Sequence, residues 1–190
     1  MSLFLAPIHS IMYSKIKNQD KINSELISEF GDEKLLLKVT NEVGSLPDGE
    51  LADVIDTQNI HGWLQSQIDV VEKAFSLIVE NLMDNGVSKE TLIKWFEDSG
   101  KKFDTADSGE ELFGMFSGFY LDGMPCDRAI QPLELEDTHA KWVQNIDVHG
   151  KYWNDGGELY NELRCAMIRG MAENSGFEFK YNEGTYEVTK

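Results

Sequence analysis

The chain has 190 residues, of which 41% are hydrophobic, so it can bury a sizeable core and is not disordered by composition. Its 17 Lys and Arg against 34 Asp and Glu give a formal net charge of −17, which argues against binding to nucleic-acid phosphates or to an anionic membrane surface. The 2 cysteines exclude a disulfide scaffold and favour a reducing compartment.

The N-terminal segment Met1–Ile8 is apolar but carries no basic leader and no small-residue cleavage site. No apolar run in the chain approaches the roughly 18 residues that a membrane-spanning helix requires. We therefore expect a cytoplasmic protein without a membrane segment.

The first two-thirds of the chain is predicted to be helical. Pro7 favours the first position of a helix, and apolar residues then recur with a helical period until Gly31 ends it. A short helical piece is expected around 51–55, and the longest helix is predicted to end at Asn85-Gly86. Glu111 lies three residues after Ser108, the spacing of a capping box. The residues predicted to cap the later helices are Asp32, Asn59, Ser88 and Ser108.

The last third changes to a mixed pattern. Apolar and polar residues alternate through 131–147, which predicts a strand that begins near His139 and ends near His149. A helix follows over 158–174, and two short strands flank Asn182-Glu183-Gly184, a hairpin signal. The predicted class is α+β: a helical N-terminal layer packed on a small antiparallel sheet with one crossing helix and a C-terminal hairpin. We expect a single domain over 1–190, with a helical part (1–125) and an α+β part (126–190) that share one core.

Several common catalytic signatures do not occur in the sequence. It contains neither a GxxxxGK[ST] nor a GxGxxG nucleotide-binding pattern, and its glycines lie at predicted helix ends. It also lacks GxSxG, HExxH and CxxC, so the usual hydrolase, zinc-protease and redox motifs are absent.

The candidate functional residues are therefore histidines, cysteines and aromatics. His9 and His61 lie on the flanks of their helices, where they are either boundary histidines or, if the helices pack side by side, a pair at one end of a pocket. His149 follows the predicted strand and precedes Tyr152 and Trp153, an arrangement typical of a ligand pocket, although a turn histidine with aromatic cover is the alternative. The predicted pocket residues are Trp142, His149, Tyr152, Trp153, Cys165, His9 and His61.

The same segment suggests a metal. Imidazole and thiolate bind zinc or a similar transition metal, and a strand–turn–helix return is expected to bring His149 and Cys165 together. Cys126 or His139 is the expected third ligand. For both cysteines, buried filler is the alternative; Arg128 beside Cys126 favours a reactive thiol there.

The order of C-terminal elements resembles one known superfamily. The sequence WVQNIDVHGKYW followed by ELYNELRCAMIRGMAENSGFEFKYNEGTYEV is similar to its closing unit of strand, sharp turn, helix and hairpin. Upstream, GVSKETLIKWFEDSGKKF and ELFGMFSGFY resemble the paired helices that precede the sheet there. The superfamily comprises the 4-vinyl-reductase-type ligand-binding domains, the haem–nitric-oxide-binding domains and the aminothiazoline-carboxylate hydrolase group. The resemblance covers about residues 75–190.

The resemblance carries two positions over to this chain. Family members often have a cysteine at the strand end, where this sequence has His149, and another in the following helix, where it has Cys165. The histidine keeps metal ligation open but puts thiol chemistry in doubt. A late hairpin cysteine is replaced here by Thr185 or Tyr186, and no histidine falls within 110–121, which disfavours haem binding of the family's kind.

Three functions follow as hypotheses. The first is a ligand-binding or sensory domain that takes a small molecule into an aromatic-lined pocket, with or without a metal. The second is a hydrolase for a small cyclic or amide substrate, in which His149 acts as general base or metal ligand and Cys165 or Cys126 as second ligand or nucleophile. The third is an interaction module that forms a homodimer through the first helix.

Overall fold

The computed structural model describes residues 5–123 and 128–190, so Cys126 lies outside the described residues. Helices and an antiparallel sheet are both present, and the predicted α+β class is confirmed. The chain divides into two compact units: one comprises residues up to Val87 together with Phe119–Leu121, and the other comprises Ser88–Gly118 together with the residues from Asp122 onward. That the chain behaves as a single domain remains a prediction, which an unfolding experiment tests.

The first unit is helical, and its caps are the predicted ones. Asp32 accepts a hydrogen bond from the backbone N–H of Leu35 at 2.9 Å, and Asn59 accepts one from Gly62 at 3.3 Å. The two long helices pack against each other through their apolar faces. Its helices are α1 (Pro7–Phe30), α2 (Glu33–Glu42), α3 (Leu51–Val54) and α4 (Ile60–Asp84).

The second unit begins with two further helices, α5 (Lys89–Gly100) and α6 (Gly109–Phe119). Ser108 accepts from the backbone N–H of Glu111 as predicted. The Glu111 carboxylate, however, accepts from the N–H of Asp107 rather than from that of Ser108, so the reciprocal half of the capping box is displaced by one residue.

The sheet consists of two hairpins joined side by side in the order β1-β2-β4-β3. The alternating stretch forms two strands that fold back around 136–138, and the second ends at Gln144, short of the predicted end near His149. One further cross-strand bond follows, from the N–H of Asn145 to Ala129, and the chain then turns at Asp147, which accepts from the N–H of His149. The strands are β1 (Ile130–Leu135), β2 (His139–Gln144), β3 (Glu178–Asn182) and β4 (Thr185–Thr189).

The last helix, α7 (Glu158–Asn174), lies between the two hairpins in the sequence and packs on α5 and β3. At its crossing with α5 the backbones approach at Gly100 and Gly170, where an added Cβ would collide with the opposite helix. Trp142 of β2 is fully buried and stacks on Tyr186 of β4, with Phe116 of α6 packed nearby. The core of this unit therefore lies between the sheet and helices α6 and α7.

None of the helices within residues 5–123 and 128–190 is long and apolar enough to span a membrane.

Candidate ligand cleft and its buried polar network

Helix α7 brings polar side chains into the core of the second unit. Tyr160 and Arg164 are four residues apart and so share one face of the helix, and Asn161 lies beside them. Arg164 is only 1% exposed, which is unusual for an arginine unless its charge is paired. A buried guanidinium therefore has to be matched by an acid and by hydrogen-bond acceptors.

Asp122 supplies that acid. One guanidinium nitrogen of Arg164 donates to Asp122 Oδ2 at 2.7 Å, and the guanidinium lies 4.8 Å from the ring centroids of both Phe116 and Tyr186. Burial acts to raise the pKa of Asp122, but the charge of Arg164 and the hydrogen bond from His149 outweigh it and hold that pKa at about 2. The pair is therefore ionised at neutral pH.

The second terminal nitrogen of the Arg164 guanidinium, Nη1, links the pair to the sheet. It donates to the Tyr186 hydroxyl at 2.6 Å and to Gln144 Oε1 at 3.1 Å. The Tyr186 hydroxyl in turn donates to Asn161 Oδ1 at 2.7 Å, and it lies 3.0 Å from Gln144 Oε1. Burial raises the pKa of Tyr186, so this phenol keeps its proton. Helix α7, β2 and β4 are thus tied by one set of hydrogen bonds.

His149 completes the network on the far side of Asp122. Its Nε2 lies 3.1 Å from Asp122 Oδ1 and 3.1 Å from the Tyr160 hydroxyl, and its ring stacks on that of Tyr160 at 4.0 Å. Because ionised Asp122 can only accept, Nε2 of His149 carries a proton and donates it to Asp122. The backbone of His149 is fixed by Asp147, whose Oδ1 accepts from the N–H groups of His149 and Gly150 at 2.9 Å each.

A cleft of about 520 Å³ opens above this network. Gln144, Tyr160 and Asn161 belong both to its wall and to the hydrogen-bonded set beneath it. The remaining wall residues come from the turn after β2, the start of α7 and the β3–β4 hairpin. They are Asp147, Asp155, Gly156, Gly157, Glu158, Glu162, Tyr181 and Gly184.

The loop before α7 gives the cleft its shape. Asp155 accepts from the N–H of Gly157 at 2.9 Å and from that of Leu159 at 2.8 Å, which caps the helix. Gly157 has a φ of +91°, and a Cβ there would lie 2.9 Å from the Cα of Gly150. Glycine is therefore required at Gly157 for both its conformation and its close approach.

The predicted pocket residues of the second unit lie beneath or beside this cleft. His149 and Trp153 are buried and both contact Tyr160, while Trp142 lies one ring further in, behind Tyr186. Tyr152 is half-buried, with the Lys151 ammonium over its ring. The residues that line the cleft are a different set, contributed by the loop, the helix face and the hairpin.

His9 and His61 are brought together in the first unit, since α1 and α4 pack side by side. Their Nε2 atoms are 3.2 Å apart, and His9 Nδ1 accepts from the backbone N–H of Ala6. The proton of neutral His9 therefore lies on Nε2 and is donated to His61. This tautomer leaves His9 Nε2 without a lone pair, so the pair is poorly suited to hold a metal.

Three of the four predicted metal ligands lie in the described part of the chain, and these three, His139, His149 and Cys165, do not form a metal-binding group there. His139 lies between Glu134 and Glu187 on the sheet, at 3.2 and 2.9 Å. Cys165 lies 3.9 Å from Asn161 Oδ1, and burial raises the pKa of its thiol to about 11. Over residues 5–123 and 128–190, no group of three or more His, Cys, Asp or Glu side chains is arranged to hold a metal ion. Because Cys126 lies outside the described residues, the predicted metal site as a whole stays a prediction.

The centre of the network consists of three residues that were not predicted from the sequence: Asp122, Tyr160 and Arg164. A signal for Arg164 was present, because this charge stands within the apolar run Leu163–Ile168, where only a paired arginine is tolerated. Asp122 offers a weaker signal, since it follows Tyr120 and Leu121 directly. The two residues pair although they lie 42 positions apart, and no local sequence pattern predicts a contact at that separation.

No family model, no curated protein and no solved structure matches this chain. The superfamily suggested by the order of elements stays a prediction.

Proposed function

We propose that this protein is a small-molecule-binding domain whose binding site is the cleft between the start of α7 and the β3–β4 hairpin. The observation that carries the proposal is the position of the cleft directly on a buried, hydrogen-bonded network. A volume of about 520 Å³ lies within the range of roughly 300–1,000 Å³ typical of ligand pockets.

The network supports binding because it fixes the wall of the cleft in advance. Tyr160 is held by His149 at 3.1 Å, and Asn161 is held by Tyr186 at 2.7 Å. A preformed wall loses little conformational entropy when a ligand docks. The resemblance to ligand-binding domains, although restricted to element order, agrees with this proposal.

The hydrolase alternative receives less support. The Cys165 thiol has a raised pKa of about 11 and so carries little thiolate at neutral pH. His149 is 1% exposed, and its Nε2 faces Asp122 and Tyr160 instead of the cleft. Neither side chain is placed to attack a bound substrate.

Two further elements of the proposal rest on the sequence. A cytoplasmic location follows from the cysteine content, and cell fractionation tests it. Homodimer formation through the first helix is the remaining alternative function, and the molecular mass in solution tests it.

A fragment screen followed by ¹H–¹⁵N spectra tests the binding proposal. We expect fragments to shift the amide signals of Gly156, Gly157, Tyr181 and Gly184, which lie on separate segments of the cleft wall. Glu158→Trp places an indole at the exposed rim and should abolish these shifts, whereas Glu136→Trp in the exposed β1–β2 turn should not. Shifts confined to other parts of the chain, or no shifts at all, would overturn the proposal.

A further inference from the structure

The charged side chains that line the cleft are acidic. Asp147, Asp155, Glu158 and Glu162 line it, and among the described residues that form its wall none is basic. Lys89 offsets Glu162 through an ion pair of 2.8 Å, which leaves three carboxylates not balanced in this way. Buried Arg164 adds no net charge below, because Asp122 pairs with it.

The start of α7 concentrates this charge. Glu158 and Glu162 are four residues apart, so they point from the same face of the helix toward the cleft, and like charges at this spacing repel each other. Lys89 already pairs with Glu162, so Glu158 is the α7 carboxylate at the rim to which a cationic ligand can bind. The protein's net charge of −17 adds a field that attracts cations and repels anions.

Aromatic rings determine which kind of cation fits. Tyr181 is 43% exposed, and its ring packs 4.8 Å from that of Tyr186 at the mouth of the cleft. Tyr160 also borders the wall, but His149 stacks on its ring and the side chain is buried, so Tyr181 presents the ring that a ligand can reach. Organic ammonium groups bind against aromatic faces. The carboxylates are not arranged to coordinate a metal ion, whereas a cavity of about 520 Å³ has room for an organic molecule.

We propose that the ligand of this cleft is a small organic cation, whose ammonium group lies between the Glu158 carboxylate and the Tyr181 ring. This inference rests on the proposed function, since it assigns the ligand class of the same cleft. It disfavours the anionic ligands that a helix N-terminus otherwise attracts, because the Asp155 carboxylate already accepts from the N–H groups of Gly157 and Leu159 at this terminus and would repel an anion.

A matched pair of probes tests the charge requirement. Choline carries a quaternary ammonium, and 3,3-dimethyl-1-butanol is its neutral isostere of nearly the same shape. Titration of the full chain, followed through the amides of Gly156, Gly157 and Tyr181, gives both dissociation constants. We expect choline to bind roughly tenfold more tightly at low salt, with the difference shrinking as salt is raised.

Substitutions distinguish the effect of a carboxylate in the cleft on choline binding from the effect of the protein's net charge. Glu158→Gln should weaken choline binding about two- to fivefold without affecting the neutral isostere, whereas Glu136→Gln, which makes the same change in net charge on an exposed turn, should leave both unchanged. Tyr181→Leu should weaken choline binding by a similar factor, and Tyr181→Phe, which retains the ring, should not.

The outcomes distinguish this inference from the proposed function. If the fragment screen yields cleft ligands but the isostere binds as tightly as choline, or choline shifts no cleft amide, the cation inference is overturned and the binding proposal stands. If Glu158→Gln and Glu136→Gln weaken choline binding equally, the attraction is a property of the whole surface, which also overturns the inference. A screen without cleft ligands overturns the proposed function itself.

Discussion

The ion pair of Asp122 and Arg164 is the residue-level feature on which the cleft depends. Both side chains are buried, and each has a further partner that loses a hydrogen bond when that side chain is removed: His149 for Asp122 and Tyr186 for Arg164. Removing one member of a buried pair leaves an uncompensated charge in the core. The pair therefore connects the stability of the second unit to the shape of the cleft that we propose as a binding site.

A double-mutant cycle measures this coupling. Asp122→Asn and Arg164→Met should each lower the free energy of unfolding by about 3–5 kcal/mol, because each strands one charge. The double variant should lose clearly less than the sum of the two, since neither charge remains. Urea denaturation of the four proteins provides the values, and additive losses would show that the two residues do not act as a pair.

The lowered pKa of Asp122 predicts a specific pH dependence. The pKa is about 2 in the folded protein against an ordinary value of 3.8, so the stabilisation is complete above about pH 5 and is lost progressively as pH falls through 3.8 toward 2. The stability difference between wild type and Asp122→Asn should therefore narrow over this window. Denaturation curves at pH values from about 5 to about 3 measure it, with Glu136→Gln as control. A constant difference would contradict the ionisation assigned to Asp122.

At the scale of the elements, the crossing of α5 and α7 depends on two glycines. A Cβ on Gly170 would collide with the carbonyl of Glu97, whereas Gly114 in α6 has nothing within 4 Å of such a position. Gly170→Ala should destabilise the protein, and the matched control Gly114→Ala should stabilise it by about 0.5–1 kcal/mol through helix propensity. Thermal unfolding compares the two. A stabilising Gly170→Ala would show that the helices can separate without cost.

The elements that local signals specify were the ones predicted well. Helix α7 was predicted over 158–174 and occupies Glu158–Asn174, because an apolar face and a closing glycine lie in its own sequence. The fold-back at 136–138 was not predicted, since Glu-Asp-Thr carries no glycine or proline to mark a turn. The network around Asp122 joins segments far apart in the chain, and periodicity does not encode such contacts.

The candidate site was therefore anticipated only in part. The sequence indicated His149 and its aromatic neighbours, because they follow a strand directly, and the structure places them around Tyr160. It did not indicate the cleft, which is shaped by Gly157 at positive φ and by the β3–β4 hairpin, whose turn residues Glu183 and Gly184 also have positive φ. Residue types in the sequence indicate which segment lies near the site. The cleft itself forms only where three segments come together, namely the turn after β2, the start of α7 and the β3–β4 hairpin.

For the whole molecule, the net charge predicts a response to salt. Carboxylates that outnumber basic groups by 34 to 17 repel one another in the folded state, and salt screens that repulsion. Raising the ionic strength from about 20 to about 200 mM at pH 7 should raise the melting temperature. In the same scans, the single-domain prediction requires one transition. An unchanged melting temperature would contradict the first expectation, and two resolved transitions would contradict the second.

The central claim, that the cleft is a ligand site, is tested most directly by a crystal structure of the protein soaked with the tightest ligand from the fragment screen. We predict electron density for the ligand against Tyr181 and the start of α7, with the Asp122–Arg164 pair unchanged beneath it. Clear density at another site, with the cleft filled by solvent alone, would contradict the claim.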